Sequence, residues 1–337
     1  MIRGSSNNIS PPIIGCPNDW SLHPLRRELK KFTGSHTLKM TDGKCLQNLL
    51  SSHEIEAAAC SPLHLLRHPN FELALPLGLS CHGSDLSCYF GLKDDCLDLP
   101  EILADRIQSL SEVFHSSKIK TSATIKSAAE FVGKACKDLA LPKLKETPKL
   151  RIFQGEGAES TLAKILYLLL WGEHAYETNE IISSQLHCSY HGPTIDLLSK
   201  NSALQHRCQY RRIIDLSELW FRITGLPFVS MVWQKIKSQH HLASKSLIAS
   251  AAEKAHARMK IEPSAYYPDI IPLADNLEEI KLSQLWKKQS YKLGTAEIKS
   301  MLFFLQLAAP LEKKLLHPEI FTIKMIRWQE KMSISGP

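Results

Sequence analysis

The feature that most narrows this chain is an alternation. Short apolar runs of strand length give way repeatedly to stretches of helical period, with Ser, Asp or Gly at the joins. Ile13-Ile14 leads into a helical stretch from His23 to Lys31, with Asp19 or Ser21 placed to cap it. Thr37 to Met40 reads as a strand, and Asp42 caps a helix over Lys44 to Ser51. Ile55 to Cys60 reads as another strand, after which Ser61-Pro62 opens a short helix from Leu63 to Arg67. Phe71 to Leu79, bounded by Pro76, and then Ser87 to Leu92 continue the series. Strands and helices that alternate in this way predict an α/β fold.

The texture changes after residue 92. Leu99 to Phe114 and Thr124 to Leu141 read as amphipathic helices, followed by a Lys/Pro-rich linker to Lys149. Residues 93–149 therefore read as a helical insertion with a solvated basic face. Leu150 to Phe153 resumes the strands and runs through Gln154-Gly155-Glu156-Gly157-Ala158-Glu159-Ser160-Thr161 into a helix over Leu162 to Trp171. A Gly-containing turn at a helix start suits an anion, although a plain strand–turn–helix has the same pattern. Ile213 to Leu216 reads as a strand and Ser217 to Thr224 as a helix, stopped by Gly225 with Pro227 beyond it. Phe228 to Trp233 is β-branched and aromatic. The rest reads as mostly helical, over His240 to Lys260, Asn276 to Trp286 and Thr295 to Leu307.

Several classes of protein are excluded by simple counts. A length of 337 residues predicts two domains or one large one. The apolar runs Ile165 to Trp171 and Met301 to Ala309 fall short of the roughly 18 to 20 residues a membrane helix needs. Forty-one Lys and Arg against 34 Asp and Glu leave a charge of +7, with no long basic block interleaved with aromatics, so no nucleic-acid partner is expected. Met1 to Ser10 is polar, the pattern of a chain without an export signal, and a cytoplasmic setting is the expectation. Nine cysteines without a CxxC pair read as reduced thiols. His187 and His191 flank Cys188 but precede Gly192-Pro193, and the adjacent His240-His241 point to different helix faces, so no metal site is expected. No GxSxG, P-loop or GxGxxG is present.

What remains is a set of small polar residues at the strand-to-helix joins: Asn18 and Ser21, Ser61, Ser84 and Ser87, Ser160 and Thr161. Singly, each reads as a cap or turn residue. Together, at the places where α/β proteins gather ligands, they predict a polar pocket for a small oxygen-rich molecule.

The same residues carry a resemblance. Asp215-Leu216-Ser217-Glu218-Leu219-Trp220, followed by Thr224-Gly225-Leu226-Pro227-Phe228-Val229 and Val232-Trp233, resembles the TGLPFV signature of the menaquinone-biosynthesis chorismate dehydratase family. Glu54 to Ser61, Leu75-Pro76 through Cys88, Glu156 to Leu162, and Ser290-Tyr291-Lys292-Leu293-Gly294 are similar to further elements of that family, in the same order. The likeness spans about residues 12 to 95 and 150 to 310. The resemblance implies a type II periplasmic-binding-protein-like architecture, two α/β lobes around a ligand cleft. Lobe 1 would take residues 12–92 and, on the return, 226–337 with the C-terminal helices. Lobe 2 would take residues 150–225, with the helical insertion 93–149 at its start. The crossings between lobes would fall near Ser87 to Lys93 and near Gly225 to Trp233.

The resemblance also implies cofactor-independent dehydration of chorismate to 3-[(1-carboxyvinyl)oxy]benzoate, on the futalosine route to menaquinone. The partner would be a small dicarboxylate. The family's catalytic serine falls on Ser87, within Cys81-His82-Gly83-Ser84-Asp85-Leu86-Ser87-Cys88, with Ser84 beside it. Its first-loop asparagine falls on Asn18 or on Ser21, according to how the loop is aligned. Its carboxylate-binding hydroxyls fall on Ser61, Ser160 and Thr161. Glu156 and Glu159 in the same turn would repel a dianion unless they point away. The sister enzyme, 1,4-dihydroxy-6-naphthoate synthase, shares the look of Cys16-Pro17-Asn18-Asp19 but carries a His after its second-lobe strand. The matching stretch here is Ser199-Lys200-Asn201-Ser202, which offers Asn201 to the substrate and has no His before His206. A third reading is a solute-binding protein without catalysis.

Overall fold

The computed structural model describes residues 13–33, 38–84, 87–92, 98–116, 147–152, 157–172, 176–178, 193–239, 242–269, 284 and 286–312. Two sheets organise them. The first is built from β1 (Ile14–Pro17), β2 (Leu38–Thr41), β3 (Ala57–Cys60), β4 (Phe71–Cys81), β10 (Phe228–Ile236) and β11 (Gln289–Lys292), in the order β11-β4-β10-β3-β1-β2. The second is built from β5 (Cys88–Leu92), β6 (Lys149–Ile152), β7 (Tyr176–Thr178), β8 (Thr194–Ser199) and β9 (Arg212–Asp215), in the order β7-β6-β8-β5-β9. β1 pairs in parallel with β2 and β3, and β6 in parallel with β7 and β8. β10 runs antiparallel to β3 and β4, as β5 does to β8 and β9. The two sheets thus share one plan, a parallel set with one antiparallel strand inserted next to its last member, and the first sheet adds β11 antiparallel to β4. The chain leaves the first sheet between Cys81 and Cys88 and returns between Thr224 and Phe228.

Local chemistry sets most of these elements. Asp42 accepts from the Cys45 N–H at 2.9 Å and starts α2 (Gly43–Ser51). Asp215 accepts from the Glu218 N–H at 3.0 Å and starts α8 (Leu216–Thr224), which Gly225 ends in the left-handed region at φ +68°. The cap expected of Asp19 serves the 3-10 turn Trp20–Leu22 that precedes α1 (His23–Thr33). Pro76 lies inside β4, where a central strand would lose a ladder bond. The pairing of β4 with β10 shifts register between Gly78 and Leu73, and the Pro76 carbonyl accepts from Leu293 N–H at 3.0 Å. Gly78 is close to obligatory, because a Cβ there would collide with the Met231 carbonyl.

The helices α3 (Leu63–Arg67), α4 (Leu99–Ile102), α5 (Ala104–Ser116), α6 (Ala158–Trp171), α7 (Lys200–His206), α9 (Lys245–Ile261) and α10 (Thr295–Leu311) cover the sheets. The predicted helix over Leu99 to Phe114 is two, α4 and α5, separated at Leu103. The predicted helix from Leu162 starts a turn earlier, at Ala158. The predicted helix over Thr124 to Leu141, most of Asn276 to Trp286, His187, Cys188, His191, His240, His241 and the Gln154–Glu156 part of the turn lie outside the described residues.

A continuous buried cluster joins the lobes, from Leu46 and Phe71 through Leu150, Leu166 and Trp220 to Phe304 and Leu307 on α10. Trp220 packs edge-on to Phe228 and Phe304, and its indole N–H donates to Ser300 Oγ at 3.0 Å. A second cluster, around Trp20, Leu25, Trp233, Ala251 and Tyr291, fills the space between the first sheet, α1 and α9. Among the described residues no helix is long and apolar enough to cross a membrane.

Candidate functional site

In an open α/β sheet the parallel strands deliver their following loops to one edge, and that edge binds ligands. Here both sheets deliver theirs to a shared cleft of about 500 Å³. β1 supplies Asn18 and Asp19, β2 supplies Asp42, and β3 supplies Cys60 and Ser61. β8 supplies Ser199, Lys200, Asn201 and Ser202, and the start of α6 supplies Gly157, Glu159 and Ser160. Lys44 and Gln47 on α2, His64 and Arg67 on α3, and Ser230 and Met231 on β10 also line it.

Of the residues singled out in the sequence, Asn18, Ser61, Ser160 and Asn201 line the cleft together. Ser21, Ser84, Ser87 and Thr161 are not in its lining. Ser21 is buried and donates its hydroxyl to Asp19 at 2.9 Å, so it shapes the first loop from behind. Asn18 accepts from Arg26 through its side-chain oxygen. Ser84 sits at the crossing between lobes and donates to Asp215 Oδ2 at 2.9 Å. Ser87 is buried at the entry to β5, and its carbonyl accepts from Lys200 N–H at 2.7 Å. Thr161 donates to Glu312 Oε1 at 3.3 Å. His206 is also absent from the lining.

The lining residues missed in the sequence include Lys44, His64, Arg67 and Lys200, whereas Glu159 is expected in the turn that starts α6. Lys200 holds a left-handed backbone, φ +56°, unusual for a side chain of this size. Two bonds brace it: its N–H to Ser87, and its carbonyl, which accepts from the Trp20 indole at 3.2 Å. Its ammonium lies 4.0 Å from Glu159 Oε2, and Glu159 holds its pKa above the ordinary lysine value. Glu159 is buried and folds back over Gly157, where a Cβ would meet its carboxylate at 2.7 Å. The chain's own carboxylate therefore stands at the positive end of α6, with Lys200 as its counter-ion. Ser160 donates to the Gly157 carbonyl at 2.9 Å in the same turn.

The other wall belongs to the first lobe. Arg67 makes a two-pronged pair with Glu312, at 2.7 and 2.9 Å, and pulls the Glu312 carboxyl below its ordinary range against the effect of burial. The Asp42 carboxyl is likewise held low by the backbone N–H groups it accepts from, that of Cys45 first. His64 is buried and its pKa is pushed down to about 4, by burial first and then by Arg67, His68 and Lys200. Burial raises the thiols of Cys16 and Cys60 to about 12, so neither is a ready nucleophile. Among the described residues no group of His, Cys, Asp and Glu could hold a metal ion.

No family model matches the chain. No curated protein matches it either. Solved structures do. Protein AF1704 from Archaeoglobus fulgidus is similar over 91% of this chain and 100% of its own, with a TM-score of 0.56 and 10% identity. The periplasmic aliphatic sulphonate binding protein SsuA from Escherichia coli is similar over 92% of this chain and 96% of its own, with a TM-score of 0.54 and 10% identity. The ligand binding component of an ABC-type import system from Staphylococcus aureus, with zinc bound, is similar over 90% of this chain and 92% of its own, with a TM-score of 0.51 and 10% identity. At such identities the likeness concerns fold alone. The chain has the periplasmic-binding-protein fold, two α/β lobes with a small-ligand cleft between them.

Proposed function

We propose that the cleft takes a small oxygen-rich carboxylate, and that this molecule is chorismate, dehydrated there to 3-[(1-carboxyvinyl)oxy]benzoate. One observation carries the reading: the amides of Asn18 and Asn201 and the hydroxyls of Ser61 and Ser160, two from each lobe, line one cleft with Lys44, Arg67 and Lys200. Aromatisation drives the loss of water, so the protein's part is to orient the ring, stabilise carboxylate charge and exclude solvent. The two lobes close on each other around such a substrate, and no cofactor is required. The reading places the chain in the cytoplasm, in keeping with the free thiols of Cys16, Cys60, Cys81 and Cys88.

The test is incubation of the purified chain with chorismate and no additive. Formation of the enolpyruvyl benzoate supports the reading, and a rate of chorismate loss equal to that in buffer rejects it. Ser87→Ala tests the residue that the resemblance makes catalytic although it lies outside the cleft lining: loss of turnover with the fold retained would return it to the chemistry. Full activity in that variant would remove Ser87 from the chemistry, as its position behind Lys200 would then explain.

A second reading, binding without turnover, is favoured by one feature. Glu159 occupies the helix start where the family resemblance puts a substrate carboxylate. A ligand that binds in calorimetry and is recovered unchanged would select it.

A further inference from the structure

His64 lines the cleft from α3, one turn beyond Ser61, whose carbonyl accepts from its backbone N–H at 3.1 Å. It is only 5% exposed. Its Nδ1 is shut off from solvent and has no hydrogen-bond partner among the described residues. A buried polar atom without a partner is uncommon and costly, so its presence calls for a reason. Packing does not supply one, because a phenyl ring would fill the same space without the penalty.

The neighbouring polar groups are already engaged. Arg67 is paired with Glu312, Glu159 with Lys200, and Asp42 with the start of α2. Ser61 Oγ accepts from Leu63 N–H at 3.3 Å. Gln47 is bonded to His68. Among the described residues the imidazole of His64 has no such hydrogen bond or ion pair. A neutral ring carries its proton on one nitrogen only, and an unmatched N–H in the shielded position is unfavourable, which assigns the proton to Nε2. The leading charges that act on the ring are mostly of one sign: Arg67, His68 and Lys200 disfavour a further positive charge, and Glu312 opposes them. A positive field around a neutral N–H donor matches an anionic oxygen.

We infer that His64 is a ligand-binding residue: from the first-lobe wall, beside Ser61 and Arg67, its Nε2–H donates to a carboxylate of the bound molecule. This rests on the reading of the cleft as a carboxylate site and says where the carboxylate goes. The first lobe receives it, opposite the α6 start that Glu159 already fills.

The experiment is a titration of wild type, His64→Phe and His64→Gln with chorismate, shikimate and malate, followed by calorimetry. At least one of the three binds wild type, His64→Phe binds it about tenfold more weakly, the loss expected for one hydrogen bond to a charged group, and His64→Gln retains most of the affinity. In wild type, the same ligand shifts the His64 ring-nitrogen resonances at constant pH, a readout that needs no variant to fold. Equal affinity in wild type and His64→Phe overturns the inference, as does a ring signal that does not move, or failure of all three to bind. Binding of shikimate or malate that depends on His64, with chorismate inert, upholds the inference while rejecting the dehydratase reading.

Discussion

Trp20 and Asn201, the latter a residue of the cleft lining, join the two lobes. The Trp20 backbone N–H donates to Asn201 Oδ1 at 3.3 Å, although 181 residues separate the two in sequence. The same amide donates its Nδ2 to the Asn18 carbonyl at 3.2 Å, and the Trp20 indole donates to the Lys200 carbonyl at 3.2 Å. These three bonds favour the closed arrangement by direct contact between first-lobe and second-lobe loops.

Asn201→Ala removes two of them. The variant is expected to populate an open cleft, with a larger radius of gyration by small-angle scattering. Ligand affinity falls by up to about thirtyfold, since each net hydrogen bond is worth about 1 kcal/mol and two are lost. An unchanged scattering profile together with unchanged affinity would show that the closed arrangement does not depend on this amide.

The buried His64 gives stability a pH dependence of known sign. Its folded pKa lies near 4 against a reference of 6.5. Between these values the unfolded chain binds a proton that the folded chain does not, so stability falls as pH drops through this window. The total is on the order of 3 kcal/mol. His64→Phe is expected to flatten that part of the urea-denaturation profile measured from pH 7 to pH 4. The same slope in both proteins would assign it to other groups.

Glu159→Gln removes the carboxylate at the α6 start. Binding of malate, a dianion, should tighten several-fold, while lactate, a monoanion, changes less, because the repulsion removed scales with ligand charge. Calorimetry on the two ligands reads the difference directly. Equal changes for both would show that Glu159 does not face the ligand's second charge.

Arg151 and Asp196 form an ion pair in the interior of lobe 2, at 2.5 Å, with the Tyr210 hydroxyl donating to Asp196 at 2.7 Å. Arg151→Met leaves the aspartate without its counter-ion and should cost about 3 to 5 kcal/mol in urea denaturation. The double variant Arg151→Met, Asp196→Leu should recover most of that loss. A single variant as stable as wild type would contradict the burial of the pair.

The same pair shows where the sequence was legible and where it was not. β1, β3, β9 and β10 stand out as apolar runs, and the alternation they make with the helices predicts the α/β class. β8 is hidden by Asp196, a charge at the centre of Thr194–Ser199 that breaks the apolar run. Only pairing with Arg151, its register partner on β6, makes that charge tolerable in a strand interior. The neutral half of the site was legible for a related reason. Asn18, Ser61 and Ser160 stand at strand-to-helix joins, which local pattern marks out. Lys44, His64, Arg67 and Lys200 lie on helices or helix starts, where a charged residue in sequence looks like any solvated one. Their role depends on which lobe they face, a property of tertiary folding alone. The first-loop alternatives are likewise separated only in three dimensions, with Asn18 in the cleft and Ser21 behind it.

The strand order has a consequence for how the molecule comes into being. Among the described residues β3 and β4 are not partners; β10 lies between them and is the ladder joining β11-β4 to β3-β1-β2. That strand is read from the message only after the whole of lobe 2 has been made. Lobe 2, by contrast, draws the five strands of its sheet from the single stretch β5 to β9. A nascent chain can therefore finish its second lobe while its first is still the three strands β3-β1-β2 and an unpaired β4, both with bare edges. Such edges invite wrong pairings until the missing strand arrives. The first lobe is begun first and completed last, so its strand edges stay open longest during synthesis.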